Sequence, residues 1–289
     1  MKIILFSRKQ VNHRTEQLRT MLDVLVRLVV DYAINEDFAS DIERLLNITI
    51  EGEHRFAGAM PLTGDDVVVT YGGDGTLLEA VGQLQDYTTP MVGINCGRLG
   101  YLTADDGEGI EELFEHIVER KLTFENRTML HIDGDISCEG RCLALNEIAI
   151  HRHGATMISI EALINGNPVA TYHGDGLVVS TPTGSTAYSL SAGGPIVDPL
   201  CRCFVLSPLA PHNLTMRPVV VPDNNTITLR LMARGGEAFL SADNRTYILH
   251  DGAIITLALA EERLILATPH NNTFYDTLRE KMMWGVDNR

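Results

Sequence analysis

The spacing of apolar residues changes once along the chain, near position 125, and that change limits the fold more than any other feature. Before it, short apolar runs alternate with amphipathic stretches. Ile3-Ile4-Leu5-Phe6, Val67-Val68-Val69 and Met91-Val92-Gly93-Ile94 read as strands buried on both faces. Residues 14–30 place Leu18, Leu22, Leu25, Val26 and Val29 at helical spacing, and Glu108 to Leu122 places Ile110, Leu113, Phe114 and Ile117 on one helical face. Strands alternating with helices predict a parallel sheet with helices on its faces. After the change the pattern is strand upon strand: Thr128–Ile132, Glu147–Ile150, Ile158–Ile164, Thr226–Leu231, Ile254–Leu259 and Leu264–Leu266. Asn165-Gly166 is a hairpin turn signal, and the single helical interruption falls near 186–193. The expectation is an α/β N-terminal domain over 1–125 and a mostly-β domain of two packed sheets over 126–268. A C-terminal helical segment over 269–289, centred on Phe274 to Trp284, packs back on the first domain.

The formal charge of −15 argues against nucleic acid or an anionic membrane as partner, because their phosphates repel an acidic surface. Phosphate recognition in such a chain has to be local, through helix N-termini, backbone N–H groups and metal ions. The opening Met1–Arg8 reads as a first strand rather than a signal sequence, and charges interrupt every apolar stretch before it could span a bilayer. A cytoplasmic location follows as an expectation. The five cysteines are expected as reduced thiols, since a zinc site would need two well-spaced Cys/His pairs that converge.

Two glycine-rich turns carry the chemistry. Gly72-Gly73-Asp74-Gly75-Thr76 lies directly between a strand and a helix, where bare N–H groups at a helix start let a phosphate approach; taken alone, it is equally a capped tight turn. A carboxylate beside phosphates is repelled by about 1 kcal/mol or more near 4 Å, so Asp74 needs a reason. Either it accepts a proton from an attacking hydroxyl or it holds Mg²⁺ against the phosphates, and both belong to phosphoryl transfer onto an alcohol. The turn lacks the Lys of a P-loop and the spacing of a dinucleotide-fold turn. The second site runs from Gly174 to Pro195, again strand, turn and helix start, with Ser185 or Thr186 as N-cap and Tyr188 one turn in. Its density of small residues means that something approaches the backbone, a ligand or another chain segment.

Five ordered blocks together resemble the NAD kinases: Gly72–Thr76, Gly93–Leu102, Asn146-Glu147, Asp175–Pro195, and Pro211-His212-Asn213-Leu214 with Arg217-Pro218. The first block is shared with diacylglycerol and sphingosine kinases; the block from Asp175 to Pro195 is specific. The resemblance implies an NAD kinase-like two-domain enzyme with a cleft for NAD and donor. It would move the terminal phosphoryl group of ATP to the 2′-hydroxyl of the adenosine ribose, giving NADP. A divalent ion such as Mg²⁺ and a homodimer or homotetramer are implied as well, with no metal ligands identified. Residue by residue, Asp74 would bond the 2′-hydroxyl as base or orienting group, and Gly72, Gly73, Gly75 and Thr76 would form the phosphate-donor turn. Gly75 would also let the nucleotide approach. Asn146 and Glu147 would hold the adenosine part, and Asp175 would sit at the other end of the dinucleotide. Thr186, Ala187, Tyr188, Ser189 and Ser191 would form a second NAD-binding wall, with Tyr188 against a ring.

Three positions are not assigned to the site. His173 is titratable and leaves the choice between NAD and NADH open. His212 is expected as a buried histidine that fixes a loop. Asp243-Asn244-Arg245 stands where many relatives have Asp-Gly-Gln, so Arg245 is not assigned to the site. A lipid kinase would need a basic amphipathic helix or lipid anchor, which this chain lacks. A noncatalytic NAD-sensing module would dispense with Asp74. A dehydrogenase would carry G-x-G-x-x-G after its first strand.

Overall fold

The computed structural model describes residues 1–9, 13–97, 100–103, 109–138, 140–234, 236–268 and 273–283. Glu108, Trp284, and Arg98 and Leu99 of the second family block lie outside them. The chain divides into two compact units, Met1–Asn126 with Leu264–Arg289, and Arg127–Arg263.

The first unit holds β1 (Lys2–Phe6), α1 (Thr15–Arg27), β2 (Asp31–Asn35), α2 (Glu36–Leu46), β3 (Arg55–Phe56), β4 (Val67–Tyr71), α3 (Asp74–Gln83), β5 (Met91–Ile94) and α4 (Ile110–Val118). Its strands are parallel in the order β3-β2-β1-β4-β5, with Phe6 opposite Thr70. The chain order therefore reverses beside β1, and the crevice beyond the carboxyl ends of β1 and β4 is where open α/β sheets bind ligands. Leu18, Met21 and Leu25 of α1, Phe38 and Ile42 of α2 and Leu113, Phe114 and Ile117 of α4 pack with Ile3, Leu5, Val69 and Tyr71 in one core. Both helices are shorter than their expected spans. Val29 and Arg120 adopt left-handed backbone just past the ends of α1 and α4 and stop them. Val26 and Val29, expected on the buried face of α1, are instead exposed.

The second unit is strand-built, as the pattern predicts. It contains most of β6 (Thr123–Gly134), then β7 (Leu143–Ala144), β8 (Glu147–Arg152), β9 (Ile158–Ile164), β10 (Asn167–Gly174), β11 (Gly176–Ser180), α5 (Tyr188–Ser191), β12 (Cys203–Leu209), β13 (Val219–Pro222), β14 (Ile227–Met232), β15 (Glu237–Ala242), β16 (Arg245–His250) and the first part of β17 (Ile254–Thr268). Strands β10-β9-β14-β17 form one antiparallel array and β13-β12-β11-β8-β15-β16 another. Ile160, Leu229 and Ile255 of the first interdigitate with Ile150, Leu177 and Phe204 of the second, which is the expected pair of packed sheets. Asn165 and Gly166 both take positive φ, as a two-residue hairpin requires. The two strands expected at 254–259 and 264–266 are one strand, because Glu261, Glu262 and Arg263 continue it at less buried positions.

After β17 the chain ends in α6 (Phe274–Met282), which Thr273 and Asp276 start with a reciprocal capping box. Leu278 is buried, Phe274 packs against Tyr101, and the Lys281 ammonium sits 4.2 Å from the Tyr101 ring centroid. Cys138 and Cys142 form a disulfide, which corrects the expectation that all five thiols are reduced; Cys96, Cys201 and Cys203 are free.

Candidate functional site

In the first unit the strand β4 delivers the chain to Gly72, and α3 begins at Asp74. The Asp74 carboxylate accepts the backbone N–H groups of Tyr101 (2.8 Å) and Leu102 (3.1 Å) and the Thr103 hydroxyl (3.3 Å). Thr103 Oγ1 in turn accepts the Gly100 N–H at 3.1 Å. The glycine-rich turn is thus tied to the loop that follows β5, and Asp74 is held in one orientation. A Cβ on Gly100 would lie 1.8 Å from Asp74 Oδ1, so the carboxylate occupies the space a side chain would need. Gly100→Ala should therefore displace Asp74 and lower turnover about 10²-fold or more, read from kcat of the purified variant beside its thermal midpoint. Thr76 Oγ1 is buried beside Gly72 without a hydrogen-bond partner. The Arg8 guanidinium, which sequence reasoning passed over, lies 3.3–3.6 Å from where a Cβ on Gly75 would stand.

In the second unit three strand ends meet. Ser180 pairs with Glu147, and Ala242 pairs with Ile148, so the ends of β11 and β15 flank the start of β8. Thr181 donates its N–H to Asn146 O (2.9 Å) and its hydroxyl to Leu145 O (2.6 Å). A Cβ on Gly184 would meet Asn146 O at 2.0 Å, so this glycine faces another chain segment. The helix expected near 186–193 is a 3-10 turn, Thr183–Thr186, followed by the four residues of α5. Its N-cap is Ala187 rather than Ser185 or Thr186; the Ser185 hydroxyl instead bonds Val197, and that of Thr186 turns back to Thr183 O.

Tyr188, Ser191 and Asp175 line one cavity of about 580 Å³ together with His151, Arg152 and Pro211. Tyr188 is 42% exposed, so its ring is available to a ligand. Asp175 pairs with Arg152 Nε at 2.6 Å, and Arg152 also holds Gly154 O. Ser189 does not face this space: it is fully buried and its hydroxyl pairs with Ser207 at 3.0 Å. His173 Nδ1 lies 2.6 Å from Ser159 Oγ. His212 is exposed rather than buried, and what fixes its loop is its backbone N–H, which donates to His173 O.

Asp243 is the residue whose role the sequence did not disclose. It is half-buried as a residue, yet its carboxylate turns inward and accepts the N–H groups of Leu145 (2.8 Å), Asn146 (2.8 Å) and Glu147 (3.2 Å). Its own N–H donates to Glu147 O, and Arg245 bonds Leu143 O. Burial raises the pKa of Asp243, against the pull of those N–H groups and of Arg245. Glu147 is 9% exposed, and its Oε2 has no hydrogen-bond partner. Burial, then the neighbouring Asp243, push its carboxyl up to about 8.

A carboxyl in that state is protonated near neutral pH and can donate as well as accept. Between about 4.5 and about 8 the folded chain keeps a proton that the unfolded chain releases, so this group lowers stability as pH rises through that window. Glu147→Gln should flatten the decline and be more stable above pH 8 by up to ~4 kcal/mol, measured by denaturant unfolding at several pH values.

Among the described residues, no group of three or more His, Cys, Asp or Glu side chains is arranged to hold a metal ion. A divalent ion that arrives on phosphates needs one or two protein carboxylates, and Asp74 is the one carboxylate in the glycine-rich turn. Among the described residues no helix is long and apolar enough to cross a membrane.

Residues 6–122 match the ATP-NAD kinase N-terminal domain and residues 145–267 the ATP-NAD kinase C-terminal domain. The chain is 34% identical to an NAD kinase of Bacteroides fragilis over 291 residues, all of both proteins. It is 44% identical to one of Porphyromonas gingivalis over 224 residues, 76% of this chain and 77% of that protein. Among solved structures, an NAD kinase from Archaeoglobus fulgidus in complex with ATP superposes with a TM-score of 0.75 at 28% identity, covering 98% of each chain. The yeast NADH kinase complexed with NADH shares the fold, with a TM-score of 0.83 at 23% identity over 100% of this chain and 89% of that one.

Proposed function

The chain belongs to the ATP-NAD kinase family, and from that premise we propose that it phosphorylates the 2′-hydroxyl of the adenosine ribose of NAD, with ATP as donor. The observation that carries the reading is Asp74, a carboxylate at the start of a helix behind a glycine-rich turn, fixed by two backbone N–H groups. ATP as donor is supported by the ATP complex of the Archaeoglobus relative.

In the proposed reaction the 2′-oxygen bonds to the terminal phosphorus of ATP, the bond from that phosphorus to the bridging oxygen breaks, and ADP leaves. The hydroxyl proton passes to Asp74 and then to solvent, so that NAD and ATP give NADP, ADP and H⁺. A loose transition state asks for position and charge balance rather than covalent chemistry, so Asp74 orients the hydroxyl and the Gly72–Thr76 turn seats the phosphates. A magnesium ion on the donor phosphates, beside Asp74, would supply positive charge there. Asn146 and Glu147 bind the adenosine part, and Glu147 can serve ribose hydroxyls with its unpartnered oxygen. Asp175, Thr186, Ala187, Tyr188 and Ser191 form the wall for the rest of the dinucleotide, with the Tyr188 ring as stacking surface. Ser189 supports that wall from within. The assembly is a cytoplasmic homodimer or homotetramer, with neither nucleic acid nor membrane as partner.

The position of transfer is tested by phosphorus and proton NMR of the product. Phosphate on the 2′-carbon of the adenosine ribose is expected, and phosphate at any other hydroxyl would reject the role given to Asp74.

A further inference from the structure

We propose that Arg8 is a catalytic residue of the phosphoryl transfer, its guanidinium binding the transferred phosphoryl group over Gly75. The inference rests on the function proposed above and adds a residue to it.

The donor turn has a charge problem. Neither Gly72–Thr76 nor the rest of α3 to Gln83 contains a Lys or Arg, whereas Asp74 adds a negative charge beside the phosphates. Backbone N–H groups and a magnesium ion offset part of that charge, but phosphoryl-transfer sites also bring a side-chain cation to the equatorial oxygens. In this fold the cation comes from the end of the neighbouring strand. β1 and β4 are adjacent and parallel, so the residues after Phe6 and those after Tyr71 leave the sheet side by side.

Ser7 fixes that exit. Its hydroxyl donates to Tyr71 O at 2.6 Å, and its N–H donates to Asn35 Oδ1 at 2.9 Å. Arg8 follows directly. Its Nη2, Nη1 and Cζ stand 3.3, 3.5 and 3.6 Å from the position of a Cβ on Gly75, so the guanidinium lies over the bare glycine. A planar five-donor group at that point is suited to paired hydrogen bonds with phosphate oxygens. Among the described residues it faces Glu79, whose Oε2 is 3.8 Å from Nε, too far for a hydrogen bond. Both side chains of that pair are about two-fifths exposed (43% and 40%), so the pair is weak and the fork is free to turn to a ligand. Thr76 Oγ1, buried and unpartnered, lies in the same turn.

The ligand chemistry is the terminal phosphate of a phosphoanhydride, whether ATP or inorganic polyphosphate. The atoms balance as in the reaction above: Arg8 keeps its proton throughout and neutralises charge on the phosphoryl oxygens while the bridging oxygen leaves.

Steady-state kinetics of Arg8→Ala and Arg8→Lys test this, with ATP and with polyphosphate as donors. Arg8→Ala should lower kcat by about 10²–10³-fold with every donor the wild type uses, leave KM for NAD nearly unchanged, and not alter the thermal midpoint. Arg8→Lys should recover part of the loss, because it restores the positive charge without the planar fork. Turnover of folded Arg8→Ala near the wild-type value, or a loss confined to ATP when polyphosphate also serves, would overturn the proposal. If the wild type transfers no phosphoryl group, the functional reading fails first. Calorimetric binding of inorganic tripolyphosphate then decides for Arg8: a loss of about tenfold or more in Arg8→Ala supports it as a phosphate ligand, and equal affinity removes it.

Discussion

Replacing Asp74 by asparagine is expected to lower turnover by roughly 10²–10⁴ while leaving the fold and most of the affinity for NAD in place. The side chain sits at the helix start and is partly exposed, so no core contact is lost. Two things change. The group proposed to take the hydroxyl proton is gone. One of the N–H groups of Tyr101 and Leu102, both of which point at carboxylate oxygens in the native chain, would face the new amide N–H₂. Asparagine has one acceptor oxygen where aspartate has two, so the loop after β5 loses part of its hold on the turn. Wild-type turnover in the variant would remove Asp74 from the chemistry. A large fall in NAD affinity with kcat preserved would make it a binding residue only.

The second large effect is expected from a residue outside the glycine-rich turns. Asp243→Ala leaves three backbone N–H groups without their acceptor, those of Leu145, Asn146 and Glu147. An unsatisfied buried donor costs ~1–3 kcal/mol, and water entering the vacated space relieves part of that, so a loss of about 3–5 kcal/mol is expected. Asp243→Asn retains one acceptor oxygen and should lose less. Because Asp243 also helps to push the Glu147 carboxyl up, either variant should shift the titration of Glu147 downward. Denaturant unfolding gives the stability and a carboxyl-carbon NMR titration gives the shift. Unchanged stability in Asp243→Ala would mean that water replaces the carboxylate without loss, and would take from Asp243 its role in holding the Asn146–Glu147 turn.

Much of the fold was legible because periodicity reports which faces are buried. Ile3–Phe6 and Val67–Val69 read as fully buried strands and are. Ile110, Leu113, Phe114 and Ile117 read as one helical face and bury together. Periodicity does not report where a helix stops, which is why Val26 and Val29 were placed on a face they do not share. Nor does it see through charge: Glu261-Glu262-Arg263 looked like a break and is the middle of a strand.

The candidate site was legible where it is local. Strand, glycine turn and helix start are contiguous in sequence, so Asp74 could be picked out with its physical reason. Asp243 could not, because its partners lie 96 to 98 residues earlier in the chain and only the pairing of β15 with β8 brings them together. The only signal was that Asp243 keeps the Asp of the relatives' Asp-Gly-Gln while Asn244 and Arg245 depart from it. Arg8 was hidden for the same reason, since its neighbour Gly75 is supplied by an adjacent parallel strand. In the run from Gly174 to Pro195, part of the small-residue density serves the chain itself: Gly184 meets Asn146, and Gly194 meets Ser189 and Ser207.

A coupled assay tests the central claim most directly: purified protein with NAD, ATP and Mg²⁺, NADP detected through an NADP-specific dehydrogenase, NADH in a parallel well and Asp74→Asn beside the wild type. NADP formation by the wild type that nearly ceases in the variant is the predicted result. Folded wild-type protein that yields no phosphorylated product from either dinucleotide, with ATP or with polyphosphate, would contradict the account.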